Sequence, residues 1–142
     1  MDKTTNELKH EIKEAVSIDA YLMRNEAHLL RRSVAEHLMA LLAEKGITRA
    51  DVVRGSLLDR AYVYQIFSGE KTPSRDKLIA LAFGLGLTDE ETQRMLKLSG
   101  NRELYAKDKR DALILFALQR GYSIWEANDM LYEHEQSILG NA

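Results

Sequence analysis

Apolar residues recur along this chain every three to four positions and almost nowhere every two. That is the period of helices with one buried face. An amphipathic segment runs from about Thr5 to Ala15, with Leu8, Ile12 and Ala15 on one side. Ser17 offers a cap for a short helix through Tyr21, Leu22 and Asn25. A stronger helix is predicted from about Ala27 to Glu44, with Val34, Leu38, Leu41 and Leu42 inward and Lys45-Gly46 closing it. Thr48 caps the next short helix, with Val52 and Val53 as its buried pair, and Asp59 caps another in which Val63, Ile66 and Phe67 point inward. After a loop at 68–72, Pro73 and Ser74 open a helix to Phe83, which Gly84 and Gly86 are expected to stop. Thr88 and Glu91 have capping-box spacing before a helix to about Leu98, closed by Ser99-Gly100-Asn101. Further helices are predicted from about Lys107 to Arg120, and from Ser123 through Leu131 to Glu135. No segment requires a strand, so the expected fold class is all-α.

Composition narrows the chemistry. Apolar residues make up 45% of 142 positions with a single Pro, which suits a globular helical chain and not a disordered one. The absence of cysteine excludes disulfides, thiolate metal sites and cysteine nucleophiles. His10, His28, His37 and His134 show no metal-binding spacing. Gly84-Leu85-Gly86 lacks the third glycine and preceding strand of a dinucleotide loop. No nucleophile–base or paired-carboxylate grouping stands out, so no enzyme, metal or cofactor is expected. The longest apolar runs, Leu78–Leu87 and Ala112–Leu118, fall short of the about 20 residues that span a bilayer. The first thirty residues lack a signal-peptide core. A soluble, cytoplasmic protein is therefore expected.

Charge is uneven along the chain. The net value is −2, yet Lys45 to Lys77 carries seven Lys or Arg against four acids, a balance of +3. From Asp89 onward ten acids oppose seven bases, a balance of −3. Local charge sets phosphate attraction, so the middle of the chain is the candidate anion-facing part. Within it, the helix from Asp59 to Ser68 turns Val63, Ile66 and Phe67 one way and Arg60, Ala61, Tyr64, Gln65 and Ser68 the other. Arg can pair bidentately with guanine and Gln with adenine, while Ala or a ring can pack on a thymine methyl.

These residues carry a resemblance. Lys45-Gly46-Ile47-Thr48, then Arg60-x-Tyr62-x-x-Gln65-Ile66, then Gly69-x-x-x-Pro73-Ser74, continued by Leu78 and Ala82, resemble the Cro and phage-repressor-like (xenobiotic response element, XRE) helix-turn-helix family. The likeness covers about Ser33 to Leu87, without a gap from Thr48 through Pro73. It implies a bacterial or phage transcriptional regulator, most simply a repressor, acting as a homodimer on double-stranded DNA. It implies base reading by Arg60, Ala61, Gln65 and the adjacent Tyr64. It places Thr48, Arg49, Ser68, Lys71, Ser74 and Arg75 at the DNA backbone. The chain departs from the family in having Leu57 where the motif turn usually has Gly, and Phe67 where an acid is common. A left-handed residue other than Gly costs about 1–2 kcal/mol, so a rearranged turn is expected.

The implied organisation is an N-terminal helical extension at 1–32, a lambda-repressor-like DNA-binding domain at 33–87, and a C-terminal helical extension at 88–142 packed on it. That last part holds Leu104, Tyr105, Leu113, Phe116, Trp125 and Tyr132 among other apolar residues, more than one thin layer hides. It is expected either to pack on the reader or to form a dimer interface or signal pocket. The alternative function is a protein-interaction adaptor that uses the same scaffold without binding DNA.

Overall fold

The computed structural model describes residues 4–14 and 17–140, with 14 and 26–33 by backbone alone. Expectations resting on Ala15 and on the His28 side chain lie outside these. The described residues form α1 (Thr5–Glu14), α2 (Ile18–Lys45), α3 (Arg49–Ser56), α4 (Arg60–Phe67), α5 (Arg75–Leu85), α6 (Asp89–Leu98), α7 (Lys109–Gln119) and α8 (Ile124–Glu133), and no strand among them. The fold is all-α.

The helix starts are chemically local. Ser17, Thr48, Asp59, Ser74, Thr88, Asp108 and Ser123 each accept a backbone N–H three residues on. Thr48/Asp51, Thr88/Glu91 and Ser123/Glu126 close full capping boxes.

Three expectations are corrected, two of them boundaries. The break near Asn25 does not exist, because α2 runs unbroken for 28 residues. Its sequence holds no Gly or Pro. The Asn25 amide donates to the Tyr21 carbonyl (3.1 Å) and to Glu11 of α1 (2.9 Å), tying α1 to α2. Gly84 does not stop α5, which ends at Gly86. It lies inside the helix because α3 crosses there. A Cβ on Gly84 would stand 2.7 Å from the Val52 carbonyl oxygen, and one on Gly55 would stand 3.0 Å from the Gly84 Cα. Finally, Val53 is only half-buried, and the second inward position of α3 belongs to Ser56, four residues after the buried Val52. The Ser56 hydroxyl accepts from the Leu58 N–H at 3.3 Å.

One hydrophobic core runs from Val34 to Leu139. Leu96, Leu104, Ile114, Leu118 and Leu131 join Leu38, Val52, Ile66 and Leu78 in it, so α6–α8 share their interior with α2–α5. Polar latches fix the join. Gln93 exchanges two hydrogen bonds with the Leu104 backbone (2.8 and 2.7 Å). Asn128 exchanges two with that of Leu139 (2.9 and 2.8 Å). Arg110 grips Asp76 with two nitrogens (2.9 and 3.0 Å) and donates to the Ser137 carbonyl (3.0 Å). The C-terminal tail thus lies against the α3–α4 turn, where a Cβ on Gly140 would come within 2.7 Å of the Leu57 Cβ.

Candidate nucleic-acid interface

The turn between α3 and α4 is Leu57-Leu58-Asp59, and it is not rearranged as the sequence suggests. Leu57 itself adopts the left-handed conformation, with φ 59° and ψ 21°. Its side chain packs on the core while Leu58 is buried beside it, and this packing offsets a backbone cost that Gly would not incur.

Val63, Ile66 and Phe67 are buried, which fixes the rotation of α4 about its axis. Phe67, a departure from the resembled pattern, belongs to the core. That rotation leaves Arg60 and Ala61 exposed and Tyr64 and Gln65 half-exposed on the outward side. Arg49, from the start of α3, comes to the same place: its guanidinium carbon lies 4.9 Å from the Tyr64 ring centre, and that of Arg60 lies 5.9 Å away. Two cations from two helices therefore share one ring. Such contacts contribute about 0.5–1 kcal/mol each at exposed sites, enough to orient a long side chain. The Gln65 carbonyl accepts from the Ser68 hydroxyl (3.0 Å) and from the N–H groups of Glu70 (2.9 Å) and Lys71 (3.2 Å), folding the following loop back onto α4.

The expected backbone-contacting residues divide in two. Arg49 and Lys71 are exposed cations, and Ser74 is exposed with its oxygen accepting from the Lys77 N–H at 3.3 Å. Arg75 is turned inward instead: its guanidinium bonds both oxygens of buried Asp111 (3.2 and 2.8 Å) and the carbonyls of Arg102 (2.8 Å) and Glu103 (3.1 Å), so it locks α5 to α7 and has four of its five N–H donors committed within the chain. Thr48 and Ser68 have also spent their donors. The Thr48 N–H and hydroxyl both go to Asp51 (2.9 and 3.0 Å), and Ser68 gives its proton to Gln65.

Ion pairs reduce the local positive charge further. Lys45 pairs with Glu91 at 2.9 Å, and Arg54 pairs with Asp51. The Thr48 N–H, and then its hydroxyl, hold the Asp51 carboxyl below its ordinary range, so it stays anionic. The outward cations of this face are Arg49, Arg60 and Lys71, with Lys77 lying over the Tyr62 ring at 5.4 Å.

No protein-family model, curated protein or solved structure matches this chain. The site therefore rests on its own geometry.

Sequence reasoning placed Arg49 at a helix start but did not bring it to Tyr64, fifteen residues on. It also missed the role of Asp111. A signal was present: Asp111 stands three residues before Ile114 and seven before Leu118, on the inward face of α7, where an acid calls for a buried cation. Among the described residues no three His, Asp or Glu side chains gather to hold an ion. Nor is any helix there long and apolar enough to cross a membrane.

Proposed function

We propose that this chain binds double-stranded DNA sequence-specifically with α4 and acts as a cytoplasmic transcriptional regulator of the helix-turn-helix type, working as a homodimer. The observation that carries the reading is the outward face of α4: Arg60, Ala61, Tyr64 and Gln65 lie side by side, with Arg49 delivered from α3 to the same ring. The resemblance of Lys45–Ser74 to the Cro-like family supports it independently. In this reading α4 enters the major groove by its N-terminal end. Arg60 pairs with guanine, Gln65 with adenine, and Ala61 packs on a thymine methyl. Arg49, Lys71 and Ser74 meet phosphates and set register. Two copies read half-sites about one helical turn apart and occlude a promoter.

Selection from a pool of randomised duplexes tests this. The expected result is enrichment of a two-fold motif with a guanine and an adenine in each half. Enrichment of nothing contradicts it.

One observation favours the adaptor reading. Lys45, Arg54 and Arg75 are held in ion pairs by Glu91, Asp51 and Asp111, which reduces the field offered to a polyanion. Salt separates the two functions. DNA binding through several phosphates weakens steeply between about 50 and 200 mM salt, whereas an apolar protein interface changes far less.

A further inference from the structure

Ala112 to Leu118 is a run of seven apolar residues on one short helix, and a helix has too many sides for all of them to face one core. Ile114, Ala117 and Leu118 face inward with Asp111. Ala112, Leu113 and Phe116 lie on the opposite side of α7, where with Met130 of α8 they line an open groove of about 460 Å³, with Lys109 and His134 at its rim. Phe116 is 39% exposed, held edge-on to Tyr122 (ring centres 5.9 Å apart) and overlain by the Arg120 guanidinium at 4.6 Å. A helix apolar on every side belongs in an interior, and this one has an interior on one side only.

We propose that a second copy of this chain supplies the other side, in a two-fold pairing that lays α7 of each copy on α8 of the other. Charge decides the occupant. Beyond the capping carboxylates Asp108 and Glu126, the exposed charges flanking the groove are Lys109 on α7 and Arg120 at its C-cap, both basic, and Asp129 and Glu133 on α8, both acidic. Among the described residues none of these four makes an ion pair within the chain. In a two-fold interface each meeting of α7 with the other copy's α8 occurs twice, so a basic helix beside an acidic one makes the surface complementary to itself. A one-signed partner would match only half of it. Aromatic rings and methionine at the centre with charges at the rim are the composition of an association surface. The groove has no cluster of converging polar groups, as a small-molecule site would. The inference stands on α7 and α8 alone and does not depend on what α4 reads.

The test is sedimentation velocity of the full chain across micromolar concentrations, without DNA. The wild type is expected to form a reversible dimer. Phe116→Asp is expected to weaken it by about tenfold or more, the loss a central anchor carries, with helix content by circular dichroism unchanged. Two charge-reversed chains keep the test independent of that variant's folding. Lys109→Glu with Arg120→Glu makes both helices acidic, and Asp129→Lys with Glu133→Lys makes both basic. Each is expected to be monomeric alone and to pair when mixed. A monomeric wild type overturns the proposal, and so does a dimer indifferent to Phe116, such as one built on exposed Ile18, Leu22 and Met23 of α2. A mixture of the two reversed chains that stays monomeric also overturns it.

Discussion

Leu57 shows how a single residue can keep a conformation its own side chain disfavours. Its left-handed backbone is maintained because the side chain packs on the core and because Gly140 leans on it from the far end of the chain. The same scale governs recognition. Arg60 and Arg49 share the Tyr64 ring, yet they have different jobs in the proposed complex. Arg60→Ala is expected to lose about 1–3 kcal/mol on the preferred duplex and to relax specificity at the base it reads. Arg49→Ala is expected to weaken all duplexes alike and to lower the dependence of log Kd on log salt by about one phosphate contact. Binding isotherms on matched and mismatched duplexes distinguish these. Equal losses on every sequence for Arg60→Ala would remove it from the base-reading role.

At the scale of elements, the sequence was readable where a signal acts within four residues and unreadable where another helix overrides it. Every cap from Ser17 to Ser123 is local, and each predicted one forms. Asn25 read as a boundary because the partner of its amide, Glu11, sits on a different helix. Gly84 read as a stop because the reason for a glycine there, the Val52 carbonyl, lies on α3. Gly84→Ala puts these effects in opposition. Helix propensity alone favours Ala by about 1 kcal/mol, but the new Cβ would stand 2.7 Å from a backbone oxygen that cannot move away cheaply. A net loss of about 1–3 kcal/mol is expected in urea unfolding, and a gain would mean that α3 and α5 do not meet as described. Glu91 links two elements by charge. Burial pushes its carboxyl up, but the Thr88 N–H and Lys45 together pull it further down, to a net value below the ordinary one. Because its pKa is depressed in the folded chain, Glu91 adds stability above the unfolded carboxylate pKa of about 4.3, and that stability is lost as pH falls through the folded value. Glu91→Gln is expected to flatten the acid limb of stability against pH, measured by urea unfolding at successive pH values. An unchanged limb would show that the Lys45–Glu91 pair carries no such linkage.

Across the whole molecule, one core joins α2–α5 to the helices after Thr88, and Arg75 is the residue whose contacts the sequence least announced. It sits at the start of α5, where the resemblance led us to expect a backbone contact, but its guanidinium is held by Asp111, thirty-six residues on. No local pattern announces a partner at that distance, and Asp111 could be recognised only as an acid on an inward face. Arg75→Ala would strand a carboxylate that is 1% exposed, so a loss of about 3–5 kcal/mol in folding stability is expected. A stable Arg75→Ala protein with weakened DNA binding would return Arg75 to the interface. The overall fold class was legible because helical periodicity runs the length of the chain, and the face of α4 was legible because three buried residues fix its rotation. That the later helices pack on this unit was an expectation, but the contacts by which α7 and α8 join it were not legible, since they are long-range latches such as Asn128 to Leu139. The most direct measurement of the central claim is fluorescence anisotropy of the full chain on a duplex enriched from the randomised pool, beside a scrambled duplex, at about 50 and 200 mM salt. Preferential binding to the enriched duplex that weakens with salt is the predicted result, and equal or absent binding to the two duplexes would contradict it.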